Sequence, residues 1–238
     1  METPFTGPRP PGRGEPERIE TAPPHSATVS IPAGKFKLTG ILTVPANALG
    51  LVLFAHGSGS GRLSPRNQYV ASVLNEAGLA TLLADLLTAE EDALDAHTRA
   101  FRFDIALLAK RMSDITVWSS GNPLTKSLSM AYFGASTGAA AALVSAARHP
   151  ASIRAVVSRG GRPDLAAGLL PLVRAPTLLI VGDRDPEVLQ LNRQALEKLN
   201  DDSRLDIVPG ATHLFEEPGA LESVARLSAD WFVKHMSS

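Results

Sequence analysis

Cysteine is absent from all 238 residues. Disulfides, thiolate zinc sites and a cysteine nucleophile are therefore excluded. An excess of either charge is missing too: 23 Lys and Arg face 24 Asp and Glu, for a formal net charge of -1. A nucleic-acid binder carries a basic stripe or surplus, so DNA and RNA are not expected as partners. Long apolar runs are also lacking. Stretches such as Leu51 to Ala55 fall far below the roughly 20 residues that cross a bilayer, and no membrane partner is expected. The first 25 residues hold no apolar core of the kind a secretory signal requires, which points to the cytoplasm.

The chain does contain enough apolar material, 44% of its residues, to bury a sizeable core. Proline is unevenly spread: seven of the 18 lie within residues 1–26. That segment has almost nothing to bury and reads as a disordered, proline-rich tail. Residues 27–238 read as one domain.

From Ala27 onward, short β-branched or leucine-rich runs alternate with longer amphipathic stretches, the rhythm of a sheet covered by helices. Ala27 to Ile31 and Phe36 to Val44 predict two strands joined at Pro32-Ala33-Gly34. Six further runs follow: Leu51 to Ala55, Ala80 to Ala84, Ser129 to Phe133, Ile153 to Val157, Thr177 to Val181 and Leu205 to Val208. They are short and apolar throughout, as parallel strands buried on both faces are. Helical spacing links Val70, Val73, Leu74 and Ala77, and likewise Phe101, Ile105, Leu108, Met112 and Ile115. Val188, Asn192, Ala195 and Leu199 predict another helix, and Leu221 to Phe232 a closing one. The expected architecture is α/β, with eight mostly parallel strands, helices on both faces and no separate lid domain. The connection from Gly160 to Ala175 is too short for one.

One motif carries chemistry. The run Ser129 to Phe133 leads into Gly134-Ala135-Ser136-Thr137-Gly138 and then into the alanine-rich stretch 139–147. Strand, sharp turn and helix around Gly-x-Ser-x-Gly make a nucleophile elbow, in which small neighbours let backbone and helix pass close to the serine. A helix N-terminus at that point aims N–H groups at developing negative charge. Serine needs a base, and the base an orienting acid. Two acids, Asp183 and Asp185, follow the strand Thr177 to Val181, and His213 follows Leu205 to Val208. All three groups are expected at the same sheet edge, in the order serine, acid, histidine. Asp185 also precedes Pro186, as a helix N-cap would, and Asp183 stays open as the alternative acid.

The loop His56-Gly57-Ser58-Gly59-Ser60-Gly61 would supply N–H groups of Gly57 or Ser58 which, with that of Thr137, hold an oxyanion. A dinucleotide fold is a poorer fit to the same loop, because the third glycine of Gly-x-Gly-x-x-Gly falls at Arg62. His56 and Arg159 are candidate substrate contacts. Arg159 and Arg162, in Ser158-Arg159-Gly160-Gly161-Arg162, could hold a substrate carboxylate, or serve as solvated or ion-paired surface groups.

From about residue 28 to the end, the chain resembles the α/β-hydrolase superfamily, and within it the dienelactone-hydrolase-like branch of small lidless esterases. The resemblance rests on residues 56–60, 134–138, Gly182-x-x-Asp185 and Gly210-Ala211-Thr212-His213. It implies a serine hydrolase of carboxylic esters with Ser136, His213 and Asp185 as triad, a small-molecule ester as partner, and neither metal nor organic cofactor. Dienelactone hydrolases proper use a cysteine nucleophile, so a lactone substrate is not implied. A ligand-binding protein on the same fold, and an acyltransferase with the same triad, are the alternative expectations.

Overall fold

The structure is a computed structural model that describes residues 25–237. Eight strands form one sheet: β1 (His25–Ala33), β2 (Phe36–Val44), β3 (Leu51–Ala55), β4 (Ala80–Ala84), β5 (Met130–Ala135), β6 (Ile153–Arg159), β7 (Thr177–Gly182) and β8 (Arg204–Val208). Their spatial order is 1-2-4-3-5-6-7-8. The β1–β2 and β2–β4 pairs are antiparallel, and every other pair is parallel. The chain thus adopts the α/β-hydrolase fold expected of it. The first strand begins at His25, inside the predicted tail, while residues 1–24 of that tail lie outside the described residues. Ala33 pairs with Phe36, so the hairpin turns at Gly34-Lys35 and not at Pro32-Ala33-Gly34.

Among the described residues, six helices cover the sheet: α1 (Pro65–Glu76), α2 (Ala89–Thr98), α3 (Ile105–Gly121), α4 (Thr137–Arg148), α5 (Pro186–Leu196) and α6 (Ala220–Met236). A 3₁₀ segment, Pro163–Leu172, fills the link from β6 to β7. Strands buried on both faces split their side chains between two cores. Leu51, Leu53 and Ala55 join Leu108, Met112 and Leu143 beneath α3 and α4, whereas Val52 and Phe54 join Val70, Leu74 and Phe232 beneath α1 and α6.

Three helix expectations need correction: Ala77 is the C-cap of α1 and lies just past its end. Phe101 lies before α3 and not on it, and Leu199 lies beyond α5. Helix α2 falls in a segment that apolar periodicity missed, because only Asp95 among its residues is buried. Its signal is the capping box: the Thr88 hydroxyl accepts from Glu91 N–H at 3.2 Å, and the Glu91 carboxylate accepts from Thr88 N–H at 2.9 Å. None of the described helices is long and apolar enough to cross a membrane.

Because β3, β5, β6, β7 and β8 run parallel, their carboxyl ends share one rim. Loops leaving that rim carry Gly57, Ser136, Gly160, Asp185 and His213, residues spread over more than 150 positions of the chain.

Candidate active site

Ser136 joins β5 to α4 with φ 51° and ψ -121°, a conformation costly for any residue with a Cβ. Neighbouring packing enforces it. A Cβ on Gly138 would strike the carbonyls of Ala55 and His56, and one on Gly134 would strike the backbone of Ala139. The turn is therefore wedged between β3 and its own helix. Ser136 N–H donates to the Arg159 carbonyl at 3.2 Å, and Arg162 N–H donates to the Ser136 carbonyl at 3.1 Å. Both backbone groups are spent, which leaves the partly exposed hydroxyl as the residue's free group.

His213 and Asp185 meet directly: Nδ1 of the imidazole lies 2.6 Å from Oδ2 of the carboxylate. Their loops are laced together, since Arg184 N–H donates to the Ala211 carbonyl at 3.0 Å and Asp183 N–H to the Val208 carbonyl at 3.2 Å. Asp183 is accounted for separately, because its Oδ1 accepts from Gly210 N–H at 2.7 Å and so shapes the turn before His213. Of the two acids, Asp185 is the one whose carboxylate meets the imidazole. The Asp185 side chain, expected to cap α5 as well, makes no cap hydrogen bond and is left to the histidine.

His213 and Ser136 each touch the strand end Arg159-Gly160. A Cβ on Gly160 would lie 3.5 Å from His213 Cε1 and 3.2 Å from its carbonyl oxygen, while the preceding residue, Arg159, holds the Ser136 N–H. Gly160 has φ +50°. Any side chain would be strained there and would push against the histidine. Among the described residues no hydrogen bond joins the imidazole to the Ser136 hydroxyl; contacts of this kind often form only with substrate bound. Phe215, buried and also at positive φ (56°), anchors the far end of the histidine loop.

On the other side of Ser136, a Cβ on Gly57 would lie 3.1 Å from Ser136 Cβ. Among the described residues, no acceptor is bonded to the N–H of Gly57, Ser58 or Thr137. The Ser58 hydroxyl donates to the Arg102 carbonyl at 3.3 Å and lies 3.1 Å from the Thr137 hydroxyl. With its one proton so committed, Ser58 accepts from Thr137, which ties the glycine loop to the N-terminus of α4. Arg102 is fixed in turn, donating Nε to buried Asp95 at 2.7 Å.

His56 does not offer a free ring nitrogen to a substrate. Its Nε2 accepts from Leu86 N–H at 2.8 Å, so the proton sits on Nδ1 and donates to the Gly57 carbonyl at 3.0 Å. Burial holds this imidazole below its usual range. Arg162 is likewise committed, donating through Nε and Nη2 to both oxygens of Asp164 at 2.8 Å. Arg159 differs from both: it is 8% exposed, and its Nε and Nη1 have no partner. A cleft of about 810 Å³ opens outward from the glycine loop, lined among others by Ser58, Arg62, Arg66, Thr88 and Arg102.

The sequence profile of the dienelactone hydrolase family matches residues 38–233. The chain belongs to that family. A dienelactone hydrolase of Anabaena variabilis shares 57% identity with it over 90% of this chain and 99% of the other, with a TM-score of 0.88. Est1E of Butyrivibrio proteoclasticus superposes with a TM-score of 0.75 over 89% of this chain and 99% of its own, at 16% identity, which shows a shared fold. Two Mycobacterium tuberculosis proteins, whose name suggests a phosphoribosyl transferase, are 58% identical to this family member over 208 residues. The match takes in 87% of this chain, and the chain spans about half the length of these relatives, 46%.

Sequence reasoning overlooked Gly160, Asp95 and Arg102. The Gly160-Gly161 pair was the available signal for a close backbone approach. The Asp95–Arg102 lock had none, because its two partners sit in a stretch without periodicity.

Proposed function

We propose that the protein is a serine hydrolase that cleaves carboxylic esters through an acyl-enzyme. The observation that carries this reading is the His213–Asp185 contact at 2.6 Å, formed beside an elbow serine whose own backbone groups are fully engaged. In the proposed cycle, Ser136 Oγ attacks the ester carbonyl carbon while His213 Nε2 takes the hydroxyl proton. Asp185 holds Nδ1–H, which fixes the tautomer and favours the imidazolium that forms. The N–H of Thr137, with that of Gly57 or Ser58, receives the oxyanion, and the Ser58–Thr137 hydroxyl contact keeps these donors at constant separation. Collapse returns the proton to the leaving alkoxide. A water molecule, deprotonated by the same histidine, then releases the acid and regenerates the serine.

The short link from β6 to β7, which leaves no room for a lid domain, supports small substrates at an open site. A fluorophosphonate probe tests the nucleophile. The expected result is a single covalent adduct at Ser136, located by peptide mass spectrometry and lost in His213→Ala. Adducts elsewhere, or none, would refute the assignment. A series of p-nitrophenyl esters should show preference for short acyl chains, and product analysis should find the free acid, which separates hydrolysis from acyl transfer to another acceptor.

A further inference from the structure

Asn192 interrupts the apolar stripe of α5 and is fully buried. Its Nδ2 donates to two carbonyls, that of Val188 at 2.8 Å within the helix and that of Gly161 at 2.9 Å in the link that leaves β6. With two acceptors as partners the amide orientation is fixed, since a flipped side chain would set oxygen against oxygen. Among the described residues its Oδ1 has no partner. The core thus carries an unanswered acceptor and keeps the two donors, a cost that packing alone does not explain.

The Gly161 contact leads directly to the nucleophile. The carbonyl of Gly161 and the N–H of Arg162 belong to one planar peptide group, and that N–H donates to the Ser136 carbonyl at 3.1 Å. A single rigid plane is held by α5 at one edge and holds the serine turn at the other. No side chain at Gly161 could take over the anchoring, because a Cβ there would strike Ser158 Oγ and Ala139 Cβ. Ser136 is strained at φ 51°, and such strain persists only where the surroundings over-determine it. Helix α5 also starts from Asp185, whose carbonyl accepts from Leu189 N–H at 2.9 Å and whose carboxylate meets the imidazole. Asn192 stands about two turns further along that helix.

We infer that Asn192 is a positioning residue for the reaction: through the Gly161–Arg162 peptide it holds the strained Ser136 turn in register with the acid presented by the same helix. The inference deepens the serine-hydrolase reading and rests on it. Asn192 touches no reacting atom. Its loss should therefore slow attack by the serine and leave the pH midpoint of the reaction unmoved, because the His213–Asp185 contact stays intact.

The test follows covalent labelling of Ser136 by a fluorophosphonate, a single attack step, in wild type, Asn192→Leu and Asn192→Ser. Leucine has the same branching and no donor. Serine, whose hydroxyl bonds the Val188 carbonyl and does not reach Gly161, decides the question should the leucine variant fail to fold. Ala195→Gly, further along α5, controls for loss of helix stability. With every protein shown to be folded by circular dichroism, the second-order labelling rate is expected to fall about tenfold or more in the Asn192 variants, the scale on which misplacing a reacting group acts. The control should label like wild type even where its Tm is lower. Rates in the Asn192 variants equal to wild type, an equal fall in Ala195→Gly, or a displaced pH midpoint each overturn the assignment. Absence of any adduct at Ser136 in wild type removes the serine reading and this inference with it, whereas a labelled wild type with unaffected variants removes the role of Asn192 alone.

Discussion

The carbonyl of Arg159 accepts the Ser136 N–H at 3.2 Å, so the nucleophile turn and the buried arginine are joined by a single backbone hydrogen bond. The proposed nucleophile and a buried guanidinium without a partner among the described residues consequently share one point on the sheet rim. Substitutions at either residue should separate activity from stability.

Ser136→Ala is expected to lower kcat by about four orders of magnitude. Ser136→Gly should remove activity as well and raise the unfolding free energy by about 1 kcal/mol, since glycine tolerates φ 51°. Chemical denaturation beside steady-state kinetics measures both. A glycine variant less stable than wild type would mean the turn stores no strain.

The two aspartates should part company. Asp185→Asn is expected to lower kcat by two to four orders of magnitude, because the imidazole loses its Nδ1 acceptor. Asp183→Ala should chiefly cost stability, about 1 kcal/mol, through loss of the acceptor for Gly210 N–H. Equal kinetic losses in the two variants would argue against Asp185 as the orienting acid.

Gly160→Ala introduces a methyl group 3.2 Å from the His213 carbonyl oxygen at a residue with φ +50°. The histidine loop must yield, and kcat is expected to drop about tenfold or more while the fold survives. Rates measured alongside circular dichroism would show this, and wild-type kinetics would disprove the close approach.

Acid should weaken the glycine loop. Burial lowers the His56 pKa from 6.5, so as pH falls below that value the unfolded chain binds a proton that the native imidazole refuses. The unfolded state gains, and stability declines with falling pH. Protonation also abolishes acceptance at Nε2 from Leu86 N–H. Burial shifts His149 and His235 in the same direction. Across pH 8 to 5, Tm should fall below about 6.5, and less steeply in His56→Asn. Identical slopes would exclude His56 from the effect.

Arg159→Met removes a buried charge that lacks a counter-ion, so Tm should rise by about 2 to 4 °C for each kcal/mol gained. Calorimetry reads this directly. A drop of several degrees would show that the native guanidinium is satisfied.

Periodicity and punctuation alone determined much of this protein. Val52 and Leu53 read as parallel-strand residues because apolar side chains must be covered on both faces, and Gly134 and Gly138 marked the elbow because close packing admits no Cβ there. The chain order of Ser136, the two acids and His213 was legible for the same reason, since strand ends are written locally in apolar runs that stop. Only tertiary structure showed that Asp185, and not Asp183, meets the imidazole. Both follow the same strand, and the choice depends on which one the His213 loop approaches once Ala211 and Arg184 are hydrogen-bonded. It also engaged the ring nitrogens of His56 and the guanidinium of Arg162 within the fold, and left Arg159 Nε and Nη1 without a partner among the described residues. Hydrogen-bond partners and counter-ions arrive from distant segments, so whether a polar side chain is spent or free is a property of the folded chain.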